Sequence, residues 1–64
     1  METKFQPGDV VRCDKYGKGR CHQVDPNYPD FMYDFHFEDG TMIWLGKRWA
    51  EKNVSLVHRT AKAG

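Results

Sequence analysis

The stretch Phe31–Leu45, FMYDFHFEDGTMIWL, constrains the fold more than any other part of this chain. Two runs of aromatic and aliphatic residues flank Glu38-Asp39-Gly40, and Asp-Gly between such runs signals a β-hairpin. Loop length then decides which side chains share a face. A two-residue Asp39-Gly40 loop sets Phe35 opposite Trp44 and Phe37 opposite Met42. It leaves Ile43 and Leu45 on the face of Asp34, His36 and Glu38. A three-residue loop, with Gly40 in the left-handed position of a bulge, pairs Phe37 with Thr41 and Phe35 with Ile43. Side chains alternate along a strand, so a slip of one residue exchanges the faces. The second register is preferred because it keeps Ile43 and Leu45 off a charged face. It predicts Phe31, Tyr33, Phe35, Ile43 and Leu45 inside, and Met32, Asp34, His36, Met42 and Trp44 outside.

Sixty-four residues make one domain, close to the size at which a core alone confers marginal stability. The 39% apolar content with 14% aromatics points to a folded chain. The formal net charge is +1, which argues against a uniformly basic nucleic-acid binder. The charge is unevenly spread, however: +2 over residues 1–24, −5 over 25–39 and +4 over 40–64, which implies a polarised surface. No apolar run reaches signal-peptide or membrane-spanning length, so a cytoplasmic protein with reduced Cys13 and Cys21 is expected. With His22, His36 and His58 these cysteines could supply zinc ligands, but Cys13-x7-Cys21-His22 is not a metal spacing. Buried, inert thiols and no metal or other cofactor are the expectation.

Along the chain, residues 1–6 read as a flexible arm from which Phe5 tucks against the core. Residues 7–58 read as the folded unit and 59–64 as a frayed polar tail. Pro7-Gly8 is a turn, and Asp9–Cys13 a first strand through Val10 and Val11. Asp14–Gly19 reads as a mobile loop. Arg20–Asp25 is a second strand, with Cys21 and Val24 inward across a bulge. Pro26–Asp30 is irregular. Gly46–Asn53 is too short for an independent helix and suits one helical or 3₁₀ turn. Val54–His58 is the last strand, with Val54 and either Leu56 or Val57 inward.

Five short strands with one helical turn before the last describe an all-β, five-stranded SH3-like (Tudor-like) barrel. In "PGDVV", "KYGKGR", Val24-Asp25, "FEDG" and "VSLV" the chain resembles the Tudor-like and KOW-like small barrels. It is similar in particular to the C-terminal Tudor-like domains of bacterial UvrD-type helicases and to the polymerase-binding domain of CarD-type regulators. The resemblance covers about residues 7–58 and rests on short, mostly structural motifs, so it bears on fold more than on function. It implies a non-enzymatic binding module in a bacterial or phage transcription or DNA-repair setting, with RNA polymerase, a repair complex or nucleic acid as partner. In the methyl-lysine-reading branch of the same group, rings form a cage around a cation. Phe37 sits at one wall of such a cage and Tyr16 could substitute for another, but the remaining wall positions fall near Asp14 and Ile43. "GDVVR" is also similar to the first strand of the plasmid-borne dihydrofolate reductases. Their Val-Gln-Ile-Tyr strand would fall at Met42-Ile43-Trp44-Leu45, which lacks the glutamine and the tyrosine.

No catalytic constellation stands out: the cysteines have no evident activating base, and Asp34 and His36 alternate on one face without a nucleophile. The candidate protein-binding residues are Met42, Trp44 and His36, joined by Tyr16 and Trp49. The candidate nucleic-acid-binding residues are Lys15, Lys18 and Arg20 with Lys47, Arg48 and Lys52, where Tyr16 or Trp49 would offer stacking. A monomer or weak homo-oligomer is expected, and an N-terminal arm or tail folded over Trp44 is the competing explanation for that residue.

Overall fold

The computed structural model describes residues 3–59. Its strands are β1 (Val10–Cys13), β2 (Gly17–Val24), β3 (Tyr33–Phe37), β4 (Met42–Leu45) and β5 (Val54–His58). They form one antiparallel sheet in the order β4-β3-β2-β1-β5. A 3₁₀ turn, Pro29–Phe31, precedes β3, and the helix α1 (Lys47–Asn53) joins β4 to β5. The chain is therefore rich in β structure with a single sheet, as expected, but the sheet does not close into a barrel. β4 and β5 are its two edges. The space between them is spanned by α1, which packs on β5 and on the 3₁₀ turn, while that turn packs on β4. At seven residues, α1 is longer than the single turn expected, because Ala50 buries fully in the core and anchors it.

The central hairpin takes the three-residue-loop register. Tyr33 lies opposite Leu45, Asp34 opposite Trp44, Phe35 opposite Ile43 and His36 opposite Met42. The Phe37 N–H donates to the Thr41 carbonyl at 2.8 Å, and the Gly40 N–H donates to the Phe37 carbonyl at 3.0 Å. Gly40 has φ +98°. The alternation fails one residue before β3. Met32 is in the right-handed helical region (φ −85°, ψ −36°), which ends the 3₁₀ turn and breaks the period of two. Met32 is consequently fully buried and Phe31 is 61% exposed, the reverse of the expectation.

The start of β2 and the inward face of β5 also differ from expectation. β2 begins at Gly17 rather than Arg20, because Gly17 (φ +86°) closes a tight turn that pairs it with Cys13. The bulge expected in β2 is present and falls between Cys21 and Gln23, leaving His22 as the extra residue. In β5 only Val54 is buried. A register irregularity against Val10 and Val11 leaves Leu56 and Val57 exposed on this edge strand.

The core gathers Val11, Cys13, Cys21, Met32, Tyr33, Phe35, Phe37, Ala50 and Val54. Phe5 completes it, fully buried with its ring edge-on to Tyr33 and Phe35. The segment before Pro7 is thus tied down where it is described: the Lys4 N–H donates to the Tyr33 hydroxyl at 2.9 Å, and Lys4 Nζ donates to the Glu51 carbonyl at 3.0 Å. Arg59 clasps the buried Asp9, Nε to Oδ1 at 3.0 Å and Nη2 to Oδ2 at 2.8 Å. Residues 1, 2 and 60–64 of the expected arm and tail lie outside the described residues.

Candidate functional site

The outer face of the sheet at β4 carries the apolar surface that the core does not use. Met42 is 70% exposed and Trp44 37%, side by side with His36 and Asp34 across the β3–β4 ladder. The described N-terminal segment does not fold over them, since Phe5 packs on the opposite, core side; of the tail, Arg59 binds Asp9, and residues 60–64 lie outside the described residues. The register adds a second property. The Phe37–Thr41 hydrogen bond fixes the phase of the antiparallel ladder, so Ile43 and Leu45 spend their backbone groups on β3. The N–H and C=O groups of Met42 and Trp44 then face away from the sheet, along an edge that no strand among the described residues pairs with. Side-chain surface and free backbone groups therefore coincide at the same two residues.

Next to this edge, the same face opens into a groove lined by Lys18, Arg20, His22, His36, Glu38 and His58, among others. All three histidines of the chain line this groove, which no spacing in the sequence announces. The His22 and His36 rings stack at 4.2 Å with an interplanar angle of 16°. His36 Nε2 lies 3.4 Å from Asp34 Oδ1. Asp34 was expected on an exposed face; it is on the outer face, but its side chain is only 11% exposed. Its cross-strand neighbours are Gln23 and Trp44.

Tyr16 and Trp49 do not join Met42 and Trp44. Tyr16 stacks on Phe37 at 5.0 Å and meets Trp49 edge-on at 6.5 Å, on the side of the sheet that α1 covers. Lys15 Nζ lies 5.5 Å from the Tyr16 ring centroid. At 24° between their planes, Tyr16 and Phe37 are in direct stacking contact, with no gap between them for a methylated ammonium. The six basic candidates are divided as well. Lys18 and Arg20 alternate onto the outer face, and Arg20 Nη1 donates to the Gly8 carbonyl at 3.3 Å. Lys47, Arg48 and Lys52 lie on α1, which packs against the other face, and Lys47 is 2.7 Å from Glu51.

Three groups with displaced acidity, Cys21, Tyr33 and Glu51, are structural. Burial pushes the Cys21 thiol up to about 12, with the charges of Asp9 and Asp34 adding to the effect, so it is a core thiol and not a nucleophile. Cys13 and Cys21 are both free and buried. Burial, together with the hydrogen bond it donates to Glu51 at 2.6 Å, likewise lifts the Tyr33 phenol to about 12. Burial works against ionisation of Glu51, but the bonds from Lys47 and Tyr33 prevail and hold it below the ordinary carboxylate range. This network fixes α1 to β3 and to the N-terminal segment.

No protein-family model, curated protein or solved structure matches this chain.

Proposed function

We propose that this chain is a small protein-binding module that accepts an extended segment of a partner protein alongside β4, with Met42 and Trp44 supplying the apolar contacts. The observation that carries the proposal is the coincidence at Met42 and Trp44 of outward-facing backbone groups and exposed apolar side chains. Strand addition needs both: backbone hydrogen bonds for affinity and alternate side-chain contacts for specificity. Tryptophan is also among the residues that anchor interfaces most often. The strand order, with a helix before the last strand, supports an SH3-like arrangement left open on the β4 side. The 3₁₀ turn packs on β4, and no strand among the described residues pairs with its outer edge. The separation of the basic residues onto two sides of the sheet favours this reading over a phosphate-tracking surface.

The test is backbone amide NMR of the full chain with extended peptides selected from a random library. The amides of Met42 and Trp44 are expected to shift and to gain protection from exchange, with cross-strand contacts from peptide to β4. Peptides that instead perturb α1 and Tyr16, or a chain that occupies β4 with a second copy of itself, would contradict a partner segment at this edge.

A further inference from the structure

We propose that His22, Asp34 and His36 form a binding site for one divalent transition-metal ion of the zinc type. One donor atom from each lies within 4.8 Å of the others. The β2 bulge brings this about: as the extra residue between Cys21 and Gln23, His22 has no cross-strand partner, and its ring settles on His36 instead. A tetrahedral ion with ligands at about 2.0–2.1 Å holds its donors about 3.3 Å apart. The Asp34–His36 separation of 3.4 Å already meets that spacing. His22 is exposed, so rotation of its ring out of the stack can close the remaining gap of roughly 1.5 Å.

The donor set selects the ion. Two imidazole nitrogens and one carboxylate suit zinc and the neighbouring late transition metals, whereas calcium and magnesium require an oxygen shell. Asp34 places an acidic group at the buried side of the site. Arg20, opposite His36 on β2, is engaged with the Gly8 carbonyl. Because the groove is open, solvent completes the coordination. The site is independent of strand addition at β4, although His36 stands between the two.

The experiment is a titration of the untagged full chain with Co²⁺, followed by its visible absorption, with Zn²⁺ as competitor. The expected result is one ion bound per chain and displaced by zinc. His22→Gln, at an exposed position that the fold does not need, is expected to weaken binding by about tenfold or more. Asp34→Asn is expected to weaken it too, while His58→Gln leaves it unchanged. Absence of binding at millimolar metal, wild-type affinity in His22→Gln, or equal loss in His58→Gln would overturn the proposal.

Discussion

At φ +98°, Gly40 holds a backbone conformation that a side chain resists, with open space around it. Gly40→Ala is therefore expected to cost about 1 kcal/mol or more through strain alone, read from the chemical denaturation midpoint. Gly19 is needed for the opposite reason. A Cβ there would stand 2.6 Å from Phe37 Cδ1 and 2.7 Å from the His36 carbonyl, and the carbonyl belongs to a paired strand that cannot yield. Gly19→Ala is expected to cost roughly 3 kcal/mol, at the upper end for overpacking. The sequence distinguishes these two cases poorly. Asp-Gly between apolar runs points to a turn, and so Gly40 was legible. Gly19 sits among loop-forming residues, and its packing against Phe37 depends on a partner eighteen positions away.

Among the elements, β3 and β4 were legible because, of the two registers the Asp-Gly loop allows, only one keeps Ile43 and Leu45 off a charged face. The entry to β3 was not, since a single residue in the helical region, Met32, exchanges Phe31 for Met32 in the core. The clasp between Asp9 and Arg59 was invisible for another reason: it joins groups 50 residues apart, and neither residue type announces it. Burial pushes the Asp9 carboxyl up, but the bonds from Arg59 and from the Gln6 N–H outweigh it and hold the group below 3.8. The folded state therefore binds this proton less readily than the unfolded one. Its stabilisation is complete above about pH 4 and is lost as pH falls through the lower folded value. Urea denaturation at about pH 6 and about pH 3 is expected to show a smaller loss of stability on acidification in Asp9→Asn than in the wild type. An equal loss in both would show that other carboxylates govern the acid limb.

Considered as a whole, the molecule is one sheet with a covered face and a face left to solvent. The covered face gathers the aromatic core under α1, and the solvent face presents Met42, Trp44 and the histidine groove. Period-two alternation placed Met42, Trp44 and His36 together from sequence. It could not place Tyr16 and Trp49, which belong to a loop and a helix whose docking is tertiary, nor His22, whose position depends on a bulge. No helix among the described residues is long and apolar enough to cross a membrane. On the proposed reading, the exposed Trp44 serves a partner and not the core. Trp44→Ala, measured both for melting temperature and for affinity toward a peptide selected on the wild-type chain, tests it directly. The expected result is a melting temperature within a few degrees of wild type, with affinity reduced by about thirtyfold, the loss typical of an interface anchor. A variant that unfolds, or one that binds the peptide as tightly as the wild type, would contradict it.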